Sequence, residues 1–351
     1  MRVSSVFESS SGVTIANMTS KQTYLTGITT TGTPHLGNYV GAIRPAIEAS
    51  EVPGNQSYFF LVDYHALIKC QDPEQVRQSR REIAATWLAL GLDHNKVTFY
   101  RQSDVPEIME LNWILSCMAA KGLLNRAHAY KAVVQANEDS GGSDPDKGIT
   151  MGLFNYPVLM TADILMFKAT KVPVGKDQVQ HLEMARDIAQ RFNHHYGDIL
   201  VAPEVVVSEQ AVLSGLDGRK MSKSYGNTIP LFETEKKLRK GIMKVKTNSQ
   251  EPGEPKETKD NTVFELYKAF ASPEQVSDLA KAYADGIGWG DAKQQLFELV
   301  NDILAQPRER YHELMAKPDE VEAILRQGAE KARAESVPYL SEIRNAVGIS
   351  S

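Results

Sequence analysis

The stretch YLTGITTTGTPHLGN, residues 24–38, decides the architecture. Tyr24 to Ile28 is a short apolar run of strand character, a Thr-, Gly- and Pro-rich turn follows it, and Tyr39 to Ala49 then reads as a helix. Working outward, the alternation continues. Ser57 to Asp63 (SYFFLVD) has the composition of a buried strand. Asp72-Pro73-Glu74-Gln75 opens a helix, with Asp72 as N-cap, Pro73 at the first helical position and Gln75 closing a box-like pair. Ile83, Trp87, Leu88 and Leu90 mark its buried stripe, Gly91 its stop, and Val97 to Tyr100 a third strand. Strands alternating with helices predict an α/β fold whose parallel sheet is covered on both faces.

Downstream, Pro106 to Lys121 predicts a helix, and Asn137 to Gly148 (NEDSGGSDPDKG) a polar, Gly-rich, mobile loop. Helices are expected near Gly152–Phe167 and Asp177–His194, with a short strand, Lys171 to Val174, between them. After Ser214 the texture changes, and Gly215 to Asn227 is a polar loop. From Thr234 only helices are expected, such as the one striped by Leu296, Val300, Ile303 and Leu304, while Gln250 to Asp260 is a Pro- and Glu-rich loop. Four parts follow: a disordered leader over 1–22, an α/β domain over 23–218, a smaller all-helical domain over 219–319, and a last helix over 320–351 that packs back on the first domain. The leader has no apolar h-region and is expected to be neither signal peptide nor anchor; Met18 is an alternative start.

Composition narrows the class. The 351 residues are 42% hydrophobic and 24% charged, ordinary for a globular protein and incompatible with wholesale disorder. The net charge of −5 excludes a basic coat but not a local basic patch. No stretch approaches the ~18–20 continuous apolar residues that span a membrane. Cys70 and Cys117 lie far apart, which excludes a disulfide scaffold or a cysteine-rich metal site and points to a reducing, cytoplasmic compartment.

Two segments carry chemistry. In a parallel sheet, ligands bind beyond the carboxyl ends of the strands, where Thr29 to Asn38 lies. A helix N-terminus there offers free N–H groups to phosphate, Gly32 and Gly37 permit close approach, and His35 and Asn38 add donors. The bland alternative is a plain strand–helix turn. A P-loop is excluded, because Asn38-Tyr39 stands where Lys-Ser/Thr is needed, and no Gly-x-Gly-x-x-Gly is present at this turn. The second segment is Gly218-Arg219-Lys220-Met221-Ser222-Lys223-Ser224. Two lysines three apart in a loop between domains suit a polyphosphate whose charge moves during reaction; alone they would read as a solvated basic loop.

Together the two segments resemble the class I aminoacyl-tRNA synthetases. His35-Leu36-Gly37-Asn38 is similar to the family's His-Ile-Gly-His motif, with Asn in place of the second His, and Lys220 to Ser224 matches its Lys-Met-Ser-Lys-Ser loop letter for letter. The resemblance implies a Rossmann-like core that activates an amino acid with ATP and substrate-bound Mg²⁺, then transfers it to tRNA.

The amino acid is suggested by Tyr156 to Leu165 (YPVLMTADIL) and Val172 to His181 (VPVGKDQVQH). Asp163, amid apolar residues, is expected to be half buried and in need of partners. A carboxylate complements an indole N–H, which only donates, and Met160, Val172 and Val174 would wall a flat ring. A structural Asp capping a helix or pairing with a Lys is the bland reading.

These stretches, with Thr26-Gly27-Ile28, Gly37 to Arg44 and Val62 to Ala66, resemble bacterial tryptophanyl-tRNA synthetases over about Tyr24 to Ile349. The resemblance implies that Asp163 reads the indole, that Gln178 and Tyr156 hold the α-amino group, and that His65, Met160, Val172, Val174, Gly27 and Leu25 form the pocket. It implies ATP contacts at Thr29, Thr30, Thr31, Gly37, Asn38, Gly175, Lys176, Asp177, Val212, Lys220, Met221, Ser222, Lys223 and Ser224. His35, Asn38, Lys131, Lys220 and Lys223 are the expected catalytic set, with no resident metal. It further implies a homodimer whose interface insertion lies in the first domain, and a helical domain that reads the anticodon of tRNA(Trp). Neither DNA nor a membrane is an expected partner.

The chain departs from the family at Thr29-Thr30-Thr31 (often Gln-Pro-Ser), Lys176 (often Glu), Leu25 (often Phe) and Tyr225-Gly226-Asn227. Glu235 to Lys246 (EKKLRKGIMKVK) holds six basic residues and one acid, a candidate tRNA-phosphate contact or a solvated helix face. Alternatives from the residues are a tyrosyl-tRNA synthetase, a non-catalytic tryptophan- or RNA-binding paralogue, and a nucleotidyltransferase outside translation.

Overall fold

The structure, a computed structural model, describes residues 22–30, 32–175, 178–207 and 212–350. The expected leader, apart from Gln22, and the expected ATP contacts Thr31, Lys176 and Asp177 lie outside the described residues.

The chain runs β1 (Thr23–Ile28), α1 (Leu36–Asn38), a π-helical turn (Tyr39–Ile43), α2 (Arg44–Ser50), β2 (Gln56–Leu61), α3 (Asp63–Ala66), α4 (Pro73–Ala89) and β3 (Thr98–Arg101). It continues through α5 (Glu107–Met118), α6 (Lys121–Leu124), α7 (His128–Asp139), α8 (Met151–Met166), β4 (Lys171–Val174), α9 (Val179–Tyr196) and β5 (Glu204–Val207). The rest is helical: α10 (Glu235–Met243), α11 (Thr262–Lys268), α12 (Pro273–Ala284), α13 (Trp289–Ala316) and α14 (Pro318–Val347).

The five strands pair in parallel in the order β3-β2-β1-β4-β5. Side-chain alternation splits the core between the faces. Phe59, Leu61 and Phe99 point to one side, and Tyr58, Phe60 and Tyr100 to the other. The first face is covered by α4 and continues without a break through Leu36, Met221, Ile229 and Leu231 into the buried residues of α10 to α13. The second is covered by α5, α8 and α9.

Local signals account for the elements. Asp72 caps α4 by accepting from the N–H groups of Glu74 and Gln75, and Gly91 leaves the helix at φ 104°. The helix expected from Tyr39 begins earlier, at Leu36, and widens to a π turn. Pro45 has no N–H to give the carbonyl four residues back, and Arg44 N–H reaches Tyr39 O instead. The loop expected from Asn137 begins at Ser140, because α7 extends through Asp139. β5 has no counterpart in the sequence reading; four residues are too few for periodicity to separate strand from loop.

The closing helix α14 straps the β3 edge. Gly328 sits so close to Phe99 that any side chain there would run into its carbonyl oxygen. Arg333 donates to Glu107 at 2.8 Å, Tyr58 Oη to Glu335 at 2.6 Å, and Arg101 at the end of β3 to Glu322 at 2.6 Å.

Candidate active site

Parallel strands bring the chemistry-bearing residues to one edge. The order reverses around β1, whose neighbours are β2 and β4, so the crevice beyond its carboxyl end is the place for a ligand. Thr29 and Thr30 follow β1, Asp63 and His65 follow β2, Gln102 and Ser103 follow β3, and Gly175 and Gln178 follow β4.

One end of the edge joins the two motifs. His35 caps α1: its Nδ1 accepts from Asn38 N–H at 3.3 Å, while its own N–H donates to Asn38 Oδ1 at 3.0 Å. With Nδ1 accepting, the neutral ring carries its proton on Nε2. Burial, reinforced by the Lys223 charge, pushes the His35 pKa down from 6.5 to about 4, so the ring is neutral near pH 7. The chain after the Lys-Met-Ser-Lys-Ser loop then binds this segment: Leu36 N–H donates to Ile229 O at 2.9 Å and Leu231 N–H to Pro34 O at 3.2 Å. Met221 turns inward, and its Sδ accepts from Gly37 N–H at 3.4 Å. Lys223 reaches Gly32, whose φ is 65°; a side-chain carbon at Gly32 would stand 2.8 Å from Lys223 Nζ. Burial lowers the Lys223 amine, against the pull of Glu82.

The loop has an internal latch. Asn227, buried, accepts from Ser222 N–H at 2.8 Å and donates to Asp217 Oδ1 at 2.6 Å and to Lys220 O at 3.1 Å. Gly215 makes room, since a side chain there would overlap Asn227.

The other end is built around Asp163, 1% exposed. Tyr156, Met160 and Asp163 recur at helical spacing, which puts them on one face of α8. Asp163 Oδ2 meets His65 Nε2 at 3.0 Å, and Gln102 Nε2 donates to both carboxylate oxygens, at 2.8 and 3.0 Å. Burial raises the Asp163 pKa, opposed by the His65 and Gln102 bonds. Next to it, Asp63 is held by Arg80 at 3.1 Å and by the Ser103 hydroxyl at 2.6 Å. Leu25, Val172 and Val174 supply apolar surface on the same sheet face, with Met160 partly buried against them. A Cβ at Gly27 would press on Val62 and Phe60. The Tyr156 hydroxyl and His181 Nε2 lie 2.6 Å apart, and the His65 ring stands edge-on to Tyr156 with centroids 6.4 Å apart.

The structure thus brings together His35, Asn38, Gly37, Met221 and Lys223 at one end and Asp163, His65, Tyr156 and Met160 at the other. Thr30, after β1, is buried, and its Oγ1 has no partner among the described residues. Lys220 and Ser224 lie exposed on the loop, with the Ser222 and Ser224 hydroxyls 2.8 Å apart. Val212 is exposed, and Lys131 is exposed on α7 without a hydrogen bond or ion pair to the other candidates among the described residues. Gln102 and Asn227 are polar groups at the heart of each end that the sequence reading did not select. The position of Gln102 immediately beyond a strand end is the signal that would have found it. Among the described residues no group of three or more His, Cys, Asp or Glu forms a metal cage, and no helix is long and apolar enough to cross a membrane.

The sequence profile of the tRNA synthetases class I (W and Y) matches residues 17–305. A tryptophan–tRNA ligase of Neisseria meningitidis is 59% identical over 331 residues, 94% of this chain and 98% of that protein. One of Pseudomonas putida is 61% identical, over 93% of this chain and 74% of that protein. The crystal structure of the Campylobacter jejuni tryptophanyl-tRNA synthetase complexed with ADP and tryptophan matches with a TM-score of 0.85 at 43% identity, covering 93% of this chain and 100% of that one. A parallel Rossmann-like sheet with these two motifs locked together at its carboxyl edge is the architecture of a class I aminoacyl-tRNA synthetase. The chain belongs to that family, among its tryptophan–tRNA ligases.

Proposed function

We propose that this chain joins L-tryptophan to tRNA(Trp) in two steps at the carboxyl edge of its sheet. The observation that carries the amino-acid assignment is Asp163, a carboxylate buried among apolar side chains at the same edge as His35 and Lys223. An indole fills an apolar slot and offers one N–H to an acceptor-only group; smaller amino acids lose the contact, and Phe or Tyr leave the carboxylate unmatched.

In the first step the tryptophan carboxylate attacks the α-phosphorus of ATP, taken up as its magnesium complex, and the bond to the β-phosphate breaks to release pyrophosphate. Catalysis here is positioning and charge stabilisation. His35 donates from Nε2 to the nucleotide phosphates, and Lys220 and Lys223, with Lys131, balance charge on the leaving pyrophosphate. Asn38 fixes His35 through the capping pair. Thr29 to Thr31, Gly37, Gly175 to Asp177, Val212 and the backbone of Met221, Ser222 and Ser224 line the nucleotide. Tyr156 and Gln178 hold the α-amino group, while Leu25, Gly27, His65, Met160, Val172 and Val174 close on the indole. In the second step a hydroxyl of the 3′-terminal ribose of the tRNA attacks the activated carbonyl and AMP departs.

The helical part over 219–319 reads the anticodon. Lys236, Lys240 and Lys244 on and after α10 are exposed and suit tRNA phosphates, whereas Lys237 is paired with Glu233 and Arg239 with Gln294. The enzyme acts in the cytoplasm as a homodimer. Its interface lies in the region of α5, where Met109 and Trp113 stand one turn apart and Trp113 is 71% exposed. ATP–pyrophosphate exchange against each of the twenty amino acids tests the reading: exchange with tryptophan alone is expected. Exchange with tyrosine instead would overturn the pocket, and exchange with none would leave a non-catalytic paralogue.

A further inference from the structure

The indole-reading carboxylate is not held by its own helix. Gln102, wholly buried just beyond β3, uses its entire amide in the task. Its Nε2 donates to Asp163 Oδ1 at 2.8 Å and to Oδ2 at 3.0 Å, and its Oε1 accepts from Tyr64 N–H at 3.2 Å. The Tyr64 bond fixes the amide plane, and the paired bonds transmit it to the carboxylate. His65 adds a second bond to Oδ2. Each carboxylate oxygen offers about two acceptor sites. Oδ2 is therefore filled, and Oδ1 keeps one site among the described residues.

We infer that Gln102 is the specificity-determining positioning residue of the amino-acid pocket: it presents a single acceptor site, on Asp163 Oδ1, to the ring N–H of the substrate. The inference rests on the tryptophan reading above and deepens it. Without Gln102 the carboxylate is held at Oδ2 alone, by His65, and Oδ1 loses its fixed donor and its orientation, so a ring that lacks the N–H is less disfavoured. The remaining ionisable groups around the carboxylate are His65, Asp63 with its Arg80, and Tyr100, whose buried hydroxyl has no hydrogen-bond partner among the described residues.

The test compares L-tryptophan with benzothienylalanine, which carries sulfur in place of the indole N–H, in ATP–pyrophosphate exchange by the full chain. In Gln102→Met the preference for tryptophan, as a ratio of kcat/KM values, should shrink about 10- to 100-fold, the scale of one hydrogen bond to a charged group. The KM for ATP should stay unchanged. Equal loss on both substrates, with the ratio preserved, would make Gln102 a structural brace and overturn the inference. A wild-type enzyme with no preference for tryptophan would instead sink the tryptophan reading itself.

Gln102→Glu keeps the shape and supplies a second readout should the Met variant fold poorly. Its carboxyl must be protonated to donate to Asp163, so its substrate ratio should fall as pH rises while the wild-type ratio stays flat. A flat ratio in Gln102→Glu contradicts the proposal.

Discussion

The two ends of the catalytic edge are built in opposite ways. At the amino-acid end the polar groups are buried and fastened to one another: Asp163 to Gln102 and His65, Asp63 to Arg80 and Ser103. At the phosphate end the joints are mostly backbone hydrogen bonds between the His35 segment and the stretch after Ser224, and the lysines project from a loop. A carboxylate buried in apolar surroundings must be satisfied before substrate arrives, because an unpartnered one is costly. Ammonium groups on a loop, Lys220 exposed and Lys223 only partly desolvated, bear far less of that cost and can close on a charge that appears only in the transition state. The comparison separates a pre-formed recognition site from a phosphate site completed by its ligand.

Asp163→Ala attacks the first end and should have the largest effect. It leaves the indole N–H and the Gln102 donor unmatched, so kcat/KM for tryptophan should drop by about 10⁴-fold, the scale of discrimination at a site built on such a bond. The KM for ATP should hold; equal loss of both would make Asp163 merely structural. Lys223→Ala attacks the second end. Its kcat for exchange should fall about 10²-fold, as when one preorganised donor is lost, with tryptophan affinity intact. Unchanged turnover would remove Lys223 from the reaction.

Asn227→Ala sharpens the contrast, since it removes the latch and no charge. Loss of a buried amide and its partners should cost about 1–3 kcal/mol of stability, visible as a lower Tm, with a smaller fall in kcat than Lys223→Ala. The effect that is smallest near neutral pH, and grows only in acid, concerns His35. His35 is neutral in the fold and titrates near 4, while in the unfolded chain it titrates near 6.5. Between those values the unfolded chain binds more protons, so stability falls as pH drops from 6.5 towards 4. In His35→Asn that part of the slope should vanish in thermal melts.

Legibility in the sequence follows the same division. The phosphate end is read from contiguous segments, Thr29 to Asn38 and Gly218 to Ser224, because loops around a phosphate need glycine, small polar residues and cations close together. The amino-acid end is assembled from four strand ends and α8. Asp163 announces itself as an acid within an apolar run, but its partner Gln102 is 61 residues away in a stretch with no unusual composition. Asn227 is hidden in the same way, since a lone Asn after a turn looks like loop punctuation until Gly215 is seen to make room for it. Four of the five strands were readable from apolar runs bounded by turns. The short β5, the π turn forced by Pro45 and the extension of α7 into a polar segment were decided by tertiary pairing and local geometry.

The most direct test of the division is calorimetric binding of L-tryptophan in the absence of ATP to the wild type, to Asp163→Ala and to a Lys220→Ala/Lys223→Ala double variant. A pre-formed recognition site predicts that the double variant binds tryptophan within about 3-fold of the wild type, a difference under 1 kcal/mol, while Asp163→Ala binding is lost. Loss of binding in the double variant comparable to that in Asp163→Ala would contradict it, and would mean that the phosphate loop is part of the amino-acid site from the start.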